Sequence, residues 1–190
     1  MIYLMRHGET DWNAVRRIQG HTDIPLNARG IQAMEAAGQR LRDLGFRVDC
    51  MASSPLKRAA ETARIIGTQI GYDGEILCEP DLIERSFGKA EGVSLLDHPD
   101  LTDETYGVEK MEDLRQRVER VLNKYRADRD HDWLLVTHGA FIMAAMDLLC
   151  GSEQGAAYLS LPDQGNPIAV TERDGVTTCT YLLSNRREGE

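Results

Sequence analysis

The sequence contains no apolar run approaching the roughly 20 residues that a membrane-crossing helix requires. Its first apolar stretch, Ile2 to Met5, meets Arg6 and His7 at once, which leaves no room for the apolar core of a secretory signal. No C-x-x-C pair occurs. Cys50, Cys78, Cys150 and Cys179 stand far apart, with Cys50 and Cys179 inside strand-like apolar patterns, and they are expected to be reduced core thiols of a cytoplasmic protein. Positive charge is also in deficit: 22 basic against 31 acidic residues give a net charge of -9, which repels nucleic acid and anionic membrane surfaces, so neither is expected as a partner. No repeat, low-complexity tract or Pro/Gly/Ser-rich linker divides the chain, and residues 1–190 are read as one domain, monomeric or homodimeric.

What is present suits a globular protein with one core, since 42% of the residues are hydrophobic and 28% charged. Strand-like and helix-like segments alternate, the pattern of an α/β fold: a three-layer α/β/α domain with a mostly parallel central sheet. Ile2 to Met5 reads as a buried parallel strand. Asn27 can cap a helix with the stripe Ile31, Met34, Gly38 and Leu41, which Gly45 ends. A strand at Cys50–Ser53 runs into Ser54-Pro55, read as the cap and first position of a helix that has Arg58 in its first turn. A long amphipathic helix is expected over Glu109–Tyr125, on the stripe Met111, Leu114, Val118, Val121, Leu122, Tyr125. Trp133 to Thr137 is a further buried strand, ending at His138-Gly139 before a helix that Gly151 closes. Asp174-Gly175 supplies the turn of a C-terminal antiparallel hairpin between Ile168–Glu172 and Val176–Leu183.

Three strand-to-helix junctions carry the polar groups: Arg6-His7-Gly8, Arg58, and His138-Gly139. In open α/β sheets the carboxyl ends of the strands line the ligand crevice, so two arginines and two histidines should converge there, with helix-start N–H groups such as that of Gly139 beside them. That is a concentrated positive site in a negative chain, and phosphate is its natural guest. Phosphoryl transfer needs fixed donors for three equatorial oxygens and an in-line nucleophile. Arg6 and Arg58 supply planar paired donors, His138 another hydrogen bond, and His7 a neutral imidazole that can attack, with the small Gly8 expected to let phosphate come close. Glu84, at the start of a loop after an apolar stretch, is the candidate to protonate the leaving group and later deprotonate water. This scheme calls for no metal and no cofactor. His21, His98 and His131 lie in polar, loop-like stretches and receive no catalytic role.

The segment Arg6 to Asn13 (RHGETDWN) resembles the signature of the histidine phosphatase superfamily, which includes the phosphoglycerate mutases. Gln19-Gly20 with DIPLNARG at 23–30, SSPLKRAAET at 53–62, ERSFGKAEG at 84–92 and LLVTHG at 134–139 resemble the family's blocks in the family's order. The resemblance implies that His7 is phosphorylated, that Arg6, Arg58 and His138 form the phosphate pocket, and that Glu84 is the proton donor. It further implies that Asn13 contacts the phosphate, that Gln19 and Gly20 belong to a loop near the substrate, and that Glu9 stands behind the site. The mutases carry a basic segment after the acidic residue. Here Ala90 to Glu109 has no Lys or Arg but has Glu91, Asp97, Asp100, Asp103, Glu104 and Glu109, a wall that should repel polyanionic substrates.

The leading expectation is therefore a phosphomonoesterase acting on a small phosphorylated metabolite through a phosphohistidine on His7. A cofactor-dependent phosphoglycerate mutase is the second enzyme reading. A non-catalytic module that binds a phosphorylated ligand, and a metal phosphoesterase using His7 and His138, complete the set.

Overall fold

The computed structural model describes residues 1–155 and 162–183. Six strands, β1 (Ile2–Arg6), β2 (Cys50–Ser53), β3 (Ile76–Cys78), β4 (Trp133–Thr137), β5 (Ile168–Arg173) and β6 (Val176–Tyr181), form one sheet in the order β3-β2-β4-β1-β5-β6. The first four run parallel to one another, while β5 lies antiparallel to both β1 and β6. The helices are α1 (Asp11–Ala14), α2 (Ala28–Asp43), α3 (Lys57–Ile70), α4 (Met111–Ala127) and α5 (Gly139–Gly155).

Adjacent residues of a strand face opposite layers, and both layers here are apolar. Leu4 and Leu135 pack with Val118 of α4 and Phe141 of α5, while Met5, Leu134 and Val136 pack with Leu41 of α2 and Ile66 of α3. β4 is buried along its whole length, which is why its sequence is an unbroken apolar run. The fold is thus the expected mixed α/β arrangement, mostly parallel with an antiparallel hairpin. Its turn places Asp174 (φ 52) and Gly175 (φ 76) in the left-handed region, as a two-residue hairpin turn demands. No helix among the described residues is long and apolar enough to cross a membrane.

Several local expectations need correction. α3 starts at Lys57 after Leu56, with no side-chain cap, instead of at Ser54-Pro55. The Ser54 hydroxyl is taken by His138, whose Nε2 lies 2.7 Å away. α4 starts at Met111, because the Glu109 carboxylate is committed to Arg117 and to the Ser86 N–H, and Met111 itself is exposed. β3 was not foreseen, three residues being too few to show alternation. All four cysteines are free, and Cys50 and Cys179 pack against the core, but both are only half-buried, as is Cys150, whose Sγ lies 3.3 Å from that of Cys179, and Cys78 is exposed on that edge strand. α5 loses helical geometry at Gly151 (φ 73, ψ 161), the expected stop.

Candidate active site

Parallel pairing brings the polar junctions together. Arg6 of β1 lies opposite Thr137 of β4, and the His7 N–H donates to the Thr137 carbonyl at 3.0 Å. On the other side of β4, the Ser54 N–H reaches the Val136 carbonyl at 3.0 Å. His7 and His138 therefore stand side by side at the carboxyl ends of adjacent strands, their ring centroids 5.1 Å apart.

The His7 ring is buried and its roles are fixed by its neighbours. Nδ1 lies 2.7 Å from the Gly8 carbonyl, which can only accept, so Nδ1 carries the proton. The Arg58 Nε–H donates toward Nε2 at 3.3 Å, which leaves that nitrogen with its lone pair. Burial, with Arg58 and Arg6 adding positive charge, holds the imidazole well below its ordinary pKa of 6.5. Gly8 also serves packing: a Cβ there would come within 2.8 Å of Met34 Cγ and 3.2 Å of the Gly30 carbonyl, so its smallness admits α2.

Arg58 is fully buried in the first turn of α3. Its Nη2 donates to the Gly20 carbonyl at 2.7 Å and its Nη1 to the Thr22 carbonyl at 3.0 Å. Thr62, one turn on, accepts the Gly8 N–H at 3.0 Å and donates to the Arg58 carbonyl at 2.7 Å, tying the two junctions together. Lys57 and Arg64, on the outer side of the same helix, are exposed in pairs with Asp23 and Glu61. Arg6 donates from Nη1 to the Pro162 carbonyl at 3.1 Å. Three buried polar atoms, Arg6 Nε, His138 Nδ1 and Gln19 Oε1, have no hydrogen-bond partner among the described residues. His138, like His7, is held well below its ordinary pKa by burial, then by His7 and the arginines.

Glu84 is brought in by a loop and is 9% exposed. Its Oε1 accepts the N–H groups of Arg85 at 2.9 Å and Phe141 at 3.2 Å, and its Oε2 that of Ala140 at 3.3 Å. The carboxyl group therefore sits on the first turn of α5, just after His138 and Gly139, where helix N–H groups favour a negative partner.

The remaining predicted residues divide. Gln19 and Gly20 lie beside Arg58, whereas the Asn13 amide oxygen caps its own helix by accepting the Thr10 N–H at 3.1 Å, and it also meets Gln164 at 3.4 Å. Glu9 accepts from Asn27 at 3.0 Å and braces the start of α2. The acidic wall is smaller than expected: Glu91 and Glu109 turn inward to bind backbone N–H groups, and Asp97, Asp100, Asp103 and Glu104 remain exposed. Sequence reasoning missed Ser54, read as a cap; His21, whose Nε2 donates to the Glu84 carbonyl at 2.8 Å; and Arg117, a buried charge on an apolar helix face. At the far end of the sheet an open groove of about 640 Å³ is bordered by Ile2, Arg126 and Arg173. It holds no histidine, so chemistry and not volume locates the site.

A model of the histidine phosphatase superfamily (branch 1) matches residues 2–175. An uncharacterized phosphatase, PhoE, of Bacillus subtilis is 38% identical over 155 residues, covering 80% of this chain and 78% of that protein. A probable phosphoglycerate mutase, GpmB, of Enterobacter sp. is 36% identical over 168 residues, 79% of this chain and 74% of that one. Among solved structures, the alpha-ribazole phosphatase from Shigella flexneri superposes with a TM-score of 0.79 at 26% identity, over 96% of each chain.

Proposed function

Because the chain belongs to the histidine phosphatase superfamily, branch 1, we propose that it is a phosphomonoesterase that moves a phosphoryl group from a small phosphorylated metabolite to Nε2 of His7 and then to water. The observation that carries this reading is the state of that ring: Nδ1 is tied to the Gly8 carbonyl at 2.7 Å, and Nε2 keeps its lone pair beside the Arg58 guanidinium at 3.3 Å. In the first half the Nε2–P bond forms and the P–O bond to the leaving group breaks, while Glu84 in its acid form gives that oxygen a proton. In the second half water attacks phosphorus, Glu84 takes the water's proton, and phosphate departs from a regenerated neutral His7.

Arg6 and Arg58 hold the equatorial oxygens, where charge is spread during transfer. Ser54 Oγ accepts the Leu56 N–H at 3.3 Å and lies 2.7 Å from His138 Nε2, and in this reading the Ser54 O–H donates to that nitrogen. The His138 proton then resides on Nδ1, the buried atom without a partner among the described residues, where it donates to a phosphoryl oxygen.

Hydrolysis is favoured over isomerisation by the segment Ala90–Glu109, which has no Lys or Arg and exposes four carboxylates. A neutral or cationic leaving group fits such a wall best. The phosphoglycerate mutase reading is kept by the likeness to the Enterobacter protein. One experiment tests both. Labelled substrate is quenched in alkali during turnover and the peptide bearing His7 is examined for phosphate; in parallel, 3-phosphoglycerate with its bisphosphate activator is offered and products are counted. Expected are a phosphate on His7, none in His7→Ala, and free phosphate in excess over 2-phosphoglycerate. Turnover without a trapped phosphohistidine would refute the mechanism, and predominant isomerisation would move the assignment to the mutases.

A further inference from the structure

Four consecutive carbonyls lead up to and include Glu84, and every one is held by a side chain from elsewhere. Asp81 and Ile83 accept from Arg117 Nη1 at 2.9 and 2.6 Å, and Leu82 accepts from the Thr137 hydroxyl at 2.6 Å. The Glu84 carbonyl accepts from Arg117 Nη2 at 3.3 Å and from His21 Nε2 at 2.8 Å. Arg117 is 8% exposed on α4 and thus reaches three of the four carbonyls.

The same guanidinium is anchored behind and in front. Behind it, Nη2 meets both oxygens of Glu109 at 3.0 Å, while Glu109 clasps Ser86 by its own N–H to the Ser86 carbonyl at 2.9 Å and by Oε2 from the Ser86 N–H at 3.1 Å. In front, Cζ lies 6.0 Å from the centre of the Phe141 ring, and it is the Phe141 N–H that holds Glu84 Oε1. A loop lacks the ladder bonds that fix a strand, yet a proton relay has to be placed to within about 0.5 Å to work. One planar fork supplies the missing bonds, and a lysine, a single charge with flexible donors, could not reproduce it.

We propose that Arg117, braced by Glu109, is the positioning residue that aims the Glu84 carboxyl group at the leaving-group oxygen. The inference rests on the phosphoryl-transfer reading with Glu84 as proton relay. Arg117 touches no reacting atom, so its effect reaches the chemistry only through Glu84. That gives it a signature. A nitrophenolate leaves without a proton, whereas an alkoxide needs one, so a misaimed Glu84 penalises alkyl phosphates selectively.

The test measures kcat/KM for p-nitrophenyl phosphate and for an alkyl phosphate in the wild type, Arg117→Met, Arg117→Lys, Glu109→Gln and Glu84→Gln. General acids contribute about 10²–10⁴-fold, so the alkyl-to-nitrophenyl ratio should drop about 10- to 100-fold in Arg117→Met, less in Arg117→Lys and Glu109→Gln, and most in Glu84→Gln. Should Arg117→Met fail to fold in a thermal melt, Arg117→Lys carries the comparison. A wild-type ratio in the Arg117 variants, with Glu84→Gln showing the drop, overturns the proposal and leaves Arg117 a purely structural role. A wild-type ratio in Glu84→Gln overturns it at its premise, because Glu84 then relays no proton.

Discussion

The Arg58 side chain has every guanidinium nitrogen engaged: Nε by His7, Nη1 by the Thr22 carbonyl and Nη2 by the Gly20 carbonyl. A charge with no exposure is tolerated only when its donors are matched in this way, and the longest of the three contacts, that of Nε, is the one made to His7. The cost falls on the two imidazoles, which burial and these arginines keep neutral. Their folded pKa values are lowered, so between those values and 6.5 the unfolded chain binds more protons than the folded one, and stability falls as pH falls through that window. Glu91 acts lower down. Burial raises its pKa, but hydrogen bonds from Thr22, His21 and Phe87 outweigh that and hold it below 4.5, so its contribution is lost only as pH drops through its folded value. Urea midpoints at about pH 7.5 and about pH 5 should therefore decline more for the wild type than for a His7→Asn/His138→Asn double variant, by up to about 1.4 kcal/mol per pH unit for each histidine. Equal declines would show that the rings are not held neutral.

Among the elements, the turn Gln19–Thr22 does the most for the least length. Gly20 has φ +56, and a Cβ there would lie 2.1 Å from Glu91 Oε1, the oxygen that binds the His21 and Phe87 N–H groups. Gly20→Ala should cost about 1–3 kcal/mol from the backbone conformation alone, and should lower kcat/KM as well, because displacing Glu91 shifts the carbonyls that grip Arg58. Gly107→Ala is the control: φ is +65 but nothing lies within 4 Å of the added carbon, so only the stability loss is expected. Such turns also mark where sequence reading stopped. The capped start of α2 and the Asp174-Gly175 turn were legible because their signals are local: Asn27 accepts the Gly30 N–H at 2.7 Å, within its own turn. Ser54 reads as a cap because a serine before proline suits one within its own turn, whereas the partner that claims its hydroxyl comes from the end of β4. Arg117 was invisible for a related reason, since its carbonyl partners arrive from a loop near Leu82 and nothing in the α4 stripe announces them.

At the scale of the molecule, the site is where the sheet stops. Arg6, His7, Arg58 and His138 could be picked out because strand ends in a parallel sheet must share one edge, a rule of topology that needs no contact information. The order of strands was less accessible: nothing local says that β1 lies between β4 and β5. Because both layers lean on the same central strands, fold and site should fail together. Leu135→Ala, at a position with no exposure in β4, should cost about 2–5 kcal/mol, and its urea transitions followed by p-nitrophenyl phosphate hydrolysis and by the fluorescence of Trp12 and Trp133 should coincide. Separate midpoints would mean that the site melts before the sheet.

The pairing of β1 with β4 has one more consequence. His7 leaves the ribosome before the histidine beside it and the strand that seats both, which are made only after residue 132. A nascent chain thus carries the His7 imidazole without its partners until that later strand pairs, and the site forms in one long-range closure. The two imidazoles become neighbours only in chains that have closed the sheet.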